Sequence, residues 1–152
     1  MKTKTYLIGT ILTIFTVILV VNTNYNTVKA EAVPLGIGQD PADAKFPEGA
    51  KIYKEKCIIC HMANGEGIPG AFPPLKNSDY LFADKVRAVE QTLNGSQKPM
   101  VVNGITYVAP MTPQVNTKKE AVAVINYVLN AWGNKGGTVT LDEVKNVKIN
   151  PR

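Results

Sequence analysis

Both cysteines and the only histidine of this 152-residue chain fall in one run of five, Cys57-Ile58-Ile59-Cys60-His61. Whatever the chain folds into has to bring these side chains together within a single turn. Three chemistries use such a cluster: a redox dithiol, a metal site, or a covalently attached haem. The rest of the sequence discriminates among them.

The N-terminus sets the compartment. Lys2 and Lys4 precede an apolar run from Tyr6 to Val21, "NTNYNT" then breaks the hydrophobicity, and "VKA" ends at Ala30 in a small-x-small-like pattern. This is the layout of an export signal over residues 1–30, with cleavage expected after Ala30. The competing reading is an uncleaved anchor through residues 6–21, a run slightly shorter than the roughly 20 residues needed to span a bilayer. Either way the domain is periplasmic or otherwise exported, and with no cysteine near the cleavage site a lipoprotein anchor is excluded. Lys2, Lys4 and Lys29 also carry much of the formal charge of +5; setting them aside leaves 14 basic against 12 acidic residues, so no nucleic-acid footprint remains. Outside the cytoplasm, paired cysteines are usually structural disulfides. A bridge across two residues closes a tiny loop and removes little chain entropy, so these two cysteines are there for chemistry.

The remaining length suits one domain. Residues 31–45, "EAVPLGIGQDPADAK", read as a flexible lead-in. A first helix is expected from Phe46-Pro47 into Cys57, with Pro47 in its first turn. Residues 62–78 hold too many turn formers for helix or strand. A middle helix runs from about Asp84, its cap, to Leu93, with Val86, Val89 and Leu93 on one face and Asn94-Gly95 as its stop. "VVNGITY" has the form of a hairpin about Asn103-Gly104. Thr117-Lys118-Lys119-Glu120 is a capping box, opening a last helix whose stripe of Val122, Ile125, Leu129 and Trp132 is widened by Val124 and Val128. Gly133 stops it, and a second box, Thr140 to Glu143, is expected to open a short helical turn in the tail. The result is a mostly α domain with three main helices and long Gly/Pro-rich loops. Such loops have little to pack against each other, so something else should fill the middle.

Cys57-x-x-Cys60-His61 is the pattern of c-type haem attachment. Thiols three residues apart at a helix end reach both vinyl groups of one porphyrin, and His61 enters beneath the iron. A thioredoxin-like dithiol belongs in a β-containing setting that this chain lacks. A structural zinc site needs four ligands, and only three adjacent Cys and His side chains exist. The sixth position of the iron separates a carrier from an enzyme. Met1 lies in the signal and Met62 is beside His61, which leaves Met111, stiffened by Pro110 and Pro113, and its rival Met100.

Residues 46–147 resemble small class I bacterial cytochromes c. They look most like the monohaem domains beside copper nitrite reductases and terminal oxidases. The resemblance rests on "CIICH", "NGEGIPGAFPPL", "VNGITYVAPMTP" and "INYVLNAWGN". It implies an all-α cytochrome c fold over residues 46–152 around one covalent haem c and its iron. It also implies that the Pro73 carbonyl accepts a hydrogen bond from the His61 imidazole and that Leu75 packs on the haem face. In that family the first and last helices cross through a small residue and aromatics, here Gly49, Tyr53, Tyr127 and Trp132. One departure is local: the family often has Met-Pro at the sixth ligand, whereas Pro110 precedes Met111 and Thr112 follows it. The expected function is an electron carrier, not an enzyme, with His61 and Met111 on the iron. Its partner would be a terminal oxidase, a nitrite reductase or a dehydrogenase. The alternatives are a peroxidase-like haem enzyme or gas sensor with an open sixth site, and a small haem subunit of a larger dehydrogenase.

Overall fold

The described part of the computed structural model, residues 40–151, begins with a cap. The Asp40 carboxylate accepts from the Ala42 N–H at 2.8 Å, and Pro41 occupies the first position of α1, Pro41–Lys45. The lead-in expected over residues 31–45 is therefore helical in its last five residues; the export signal, the apolar run at 6–21 and residues 31–39 lie outside the described residues. Among the described residues no helix is long and apolar enough to cross a membrane.

The first long helical segment is three pieces in sequence: α2, Pro47–Ile52, a π-helical turn, Tyr53–Cys57, and α3, Ile58–His61. The Ile58 N–H reaches back five residues to the Tyr53 carbonyl. After the loop comes a helix that the sequence reading did not anticipate, α4, Asp79–Ala83, capped by the Ser78 hydroxyl. It is followed by α5, Lys85–Asn94, with Asp84 accepting from the Arg87 N–H at 2.9 Å and Gly95 ending it at a φ of 79°.

The hairpin forms as expected: β1, Met100–Val102, pairs antiparallel with β2, Ile105–Tyr107. Asn103 and Gly104 both have positive φ, 50° and 80°, which matches the right-handed twist of the flanking strands. The last helix, α6, Lys118–Val128, opens on the complete Thr117–Glu120 capping box. It stops four residues earlier than its apolar stripe implies. Trp132 lies instead in a 3₁₀ turn, Ala131–Gly133, with a φ of 55°. The Thr140–Glu143 box also forms, yet residues 141–146 make turns rather than a helix.

The core lies where α2 crosses α6. Gly49 makes this crossing possible, because a Cβ there would sit 2.1 Å from the Ala123 carbonyl oxygen and 2.7 Å from the Tyr127 Cβ. Tyr53, Tyr127 and Trp132 pack beside it with ring centroids 4.9–5.7 Å apart, so the four residues expected at the crossing do meet. Val89, Leu93, Val124, Val128 and Leu129 extend the core, and Val139 and Val144 of the tail are buried in it. The tail is held by asparagines that imitate a strand ladder. Asn126 both accepts from the Val139 N–H (2.7 Å) and donates to the Val139 carbonyl (3.0 Å), and Asn94 does the same with Asn150 and Lys148.

The capping box gives the first expected result. The Thr117 hydroxyl donates to the Glu120 carboxylate at 2.9 Å, and this bond, with the N–H groups of Asn116 and Thr117, holds the Glu120 pKa below the ordinary glutamate value. A lowered carboxylate pKa contributes stability above the unfolded-state value, and the contribution is lost as pH falls through the native value. Thr117→Ala is expected to cost about 1 kcal/mol at neutral pH. An NMR titration of the Glu120 carboxyl should show its pKa rising toward the ordinary value in the variant. An unmoved titration curve would mean that the box does not form in solution.

Candidate functional site

Cys57, Cys60 and His61 are placed by the π turn and α3. The wide turn rotates Cys57 away from the α2 register, and Cys60 and His61 follow within the next four residues. Cys57 is half-buried, and burial pushes its thiol up to about 11, with Lys56 pulling the other way. A reactive dithiol needs a depressed thiol pKa, so the environment opposes thiol–disulfide exchange. Among the described residues no three His, Cys, Asp or Glu side chains converge to hold a bare metal ion.

His61 ends α3, and its ring is fixed from behind. Nδ1–H donates to the Pro73 carbonyl at 2.9 Å, which sets the tautomer and leaves the Nε2 lone pair for a metal. Burial lowers the His61 pKa, with the Pro73 bond opposing, so the imidazole stays neutral and able to ligate. The chain then turns sharply. Met62 has φ 63° and ψ 163°, a combination nearly confined to glycine and costing on the order of 1–3 kcal/mol. Two aromatic donors hold the strained turn: the Tyr53 hydroxyl to the Met62 carbonyl at 2.7 Å, and the Trp132 indole N–H to the Ala63 carbonyl at 3.1 Å. The aromatic cluster at the helix crossing therefore also anchors the residue that follows His61.

The loop from 62 to 77 folds back by close backbone approach. A Cβ on Gly67 would lie 2.4 Å from the Phe72 carbonyl and 2.7 Å from that of Pro73, and one on Gly65 would enter the Trp132 ring. The Gly67 N–H donates to the His61 carbonyl, and Leu75 and Lys76 both donate to the Gly65 carbonyl. These contacts deliver Pro73 to Nδ1 and Leu75 to the cleft wall. Asn134, buried just beyond the 3₁₀ turn, clamps the loop's far end. It accepts from the Asn77 N–H at 2.9 Å and donates to the Leu75 and Val128 carbonyls.

All of these groups face one cleft of about 1180 Å³, partly open to solvent, the size for a large cofactor rather than a small metabolite. Cys57, Cys60, His61, Pro73, Leu75 and Met111, the six residues singled out from the sequence, all line it, and so does Met100. Met62 does not. Met111 is held through its backbone, exchanging two hydrogen bonds with Ser96 (2.8 and 2.9 Å) just past the end of α5. The donor set fits a covalently attached haem: two thiols three apart, a neutral imidazole tied through Nδ1, and apolar walls. Sequence reading missed Asn134 and the polar face that α4 and α5 turn toward the cleft, Tyr80, Arg87 and Gln91. The spacing of 84, 87, 88 and 91 was the available signal for that face.

Residues 46–132 match the family model described as Cytochrome c. The chain is 38% identical over 111 residues to cytochrome c-552 of Thermus thermophilus, covering 66% of this chain and 84% of that protein. It is 28% identical over 103 residues to the cytochrome c subunit of the quinone alcohol dehydrogenase of Gluconobacter oxydans (strain 621H), and 29% identical over 114 residues to the fructose dehydrogenase cytochrome subunit of Gluconobacter japonicus. Each of those matches spans only 22% of the subunit concerned.

Proposed function

The chain belongs to the cytochrome c family, electron-transfer proteins with covalently bound haem c, and from that premise we propose that His61 and Met111 are its axial ligands and that it is a carrier rather than an enzyme. The observation that carries this reading is the double pairing of Met111 with Ser96, which fixes the methionine backbone on the cleft that His61 also lines. With both axial positions filled by protein, no site remains for a substrate. His/Met ligation raises the reduction potential relative to two nitrogen ligands. Covalently bound haem supplies the one-electron chemistry; His61 and Met111 fix its coordination, and Pro73 orients the imidazole.

Proposed partners are redox proteins: a dehydrogenase, a terminal oxidase or a nitrite reductase. The dehydrogenase cytochrome subunits among the relatives support this class. The apolar side chains of Ile59 and Val108, 79% and 68% exposed, support a small apolar docking patch of the kind that transient redox encounters use. Export of the domain, either released after Ala30 or tethered through residues 6–21, is part of the same proposal and rests on the N-terminal sequence.

Substitution of each cleft methionine tests the ligand. Met111→Ala should abolish the weak long-wavelength sulfur-to-iron band and convert low-spin ferric iron to high-spin. The potential should fall by at least about 0.1 V, a modest part of the roughly 0.8 V that axial ligands span. Binding of external ligands and peroxidase activity should appear. Met100→Ala should leave band and potential nearly unchanged. The reverse pattern would move the ligand to Met100, and a high-spin unmodified protein would favour the enzyme or sensor.

A further inference from the structure

One charged group in the cleft has no task in the fold. Arg87, on the first turn of α5, lies flat on the Tyr80 ring with Cζ 3.7 Å from the centroid, and its Nη2 donates to the Tyr80 carbonyl. One turn on, the Gln91 amide donates to the Tyr80 hydroxyl at 3.1 Å. The Arg87 Nε–H is buried and has no hydrogen-bond acceptor among the described residues. No carboxylate there forms an ion pair with Arg87 either. Asp84 and Lys56 also line the cleft, and Asp84 receives the Arg87 backbone N–H as a helix cap. Around this polar spot the walls are apolar, with Ala88, Val102, Val124 and Val128.

A guanidinium is always charged, and leaving a buried N–H without an acceptor costs about 1–3 kcal/mol, more when the group is ionic. Its planar fork matches a carboxylate. Haem carries two propionate carboxylates on the edge away from the vinyl groups that take the Cys57 and Cys60 thiols. We infer that Tyr80, Arg87 and Gln91 form the seat of a haem propionate. Arg87 supplies the charge-assisted hydrogen bond, and the Tyr80 ring and carbonyl hold its plane. The assignment rests on haem being bound, not on which methionine ligates the iron. Its consequence is electrostatic: a fixed cation offsets a carboxylate that otherwise favours ferric iron, so Arg87 raises the potential.

Redox titration of the holoprotein and its Arg87→Gln and Arg87→Lys variants tests this. In R87Q the reduced-to-oxidised ratio at fixed ambient potential should fall about tenfold, equivalent to about 59 mV for one electron, with the sulfur-to-iron band intact. R87K, which keeps the charge, should recover most of the loss. In unmodified holoprotein labelled with ¹⁵N-arginine, the Arg87 Nε–H should be protected from solvent exchange. An unshifted potential in R87Q, or an Nε–H exchanging at the solvent rate, overturns the assignment. If R87Q does not fold, the exchange measurement decides alone. Absence of the band from unmodified protein counts against Met111 only and leaves both readouts valid.

Discussion

Replacing both Cys57 and Cys60 with serine is expected to leave no haem on the chain after denaturation and extraction with acidified solvent, whereas the unmodified protein keeps all of it. The two side chains line one cleft with His61, and thioether bonds from them are what make the cofactor inseparable from the polypeptide. The effect should reach the fold. The cleft is walled by core residues of α5 and α6, among them Ala88, Val124 and Val128, and the loops on its other side carry few contacts of their own. A group that binds only the native state stabilises it, and its loss removes that stabilisation in full. Thermal unfolding followed by circular dichroism should therefore lose its cooperative transition in the double variant. Freely extractable haem in the unmodified protein would refute covalent attachment, and a variant melting at the native temperature would show that the chain packs without the cofactor.

The second large effect is expected from a single methyl group. Gly49→Ala places a Cβ 2.1 Å from the Ala123 carbonyl oxygen, a backbone atom that cannot swing aside, so α2 and α6 must separate. Overpacking in a core commonly costs about 1–3 kcal/mol, and contact with backbone puts this site at the upper end or beyond. For a domain of this size about 3 kcal/mol corresponds to roughly 12–20 °C in Tm. Because the same crossing carries Tyr53 and Trp132, which hold the strained Met62 turn, the iron site should loosen as well. A weakened sulfur-to-iron band well below the melting temperature would report it. An unchanged Tm would mean that the helices cross elsewhere.

What was legible in the sequence was local or covalent. The Thr117–Glu120 box, the Asp84 cap and the Asn103-Gly104 turn each need only a few neighbouring residues, and all three form. The thiols and the imidazole are adjacent in the chain, so their cluster needed no fold to reveal it. The short helices α1 and α4 were hidden because five residues carry no readable period, although Asp40-Pro41 and Ser78 supply their caps. Trp132 misled for a different reason. It continues the α6 stripe in sequence, but an indole contact with Tyr53 and a bond to the Ala63 carbonyl outweigh the helical register. Arg87 and Asn134 were invisible because their partners are separated in sequence or belong to the cofactor.

The family pattern stops at Trp132, but the folded body does not. Val139 and Val144 are as deeply buried as any residue of α6, and at the other end Asp40, outside the pattern, accepts a hydrogen bond from the Trp132 N–H. The two margins thus close on the matched segment rather than trailing from it. A graft of residues 46–132 into another protein would carry the haem-binding motif while omitting part of its own enclosure. The transplantable module, in engineering or in the fusion of such domains to larger enzymes, is the stretch from Asp40 to about Asn150.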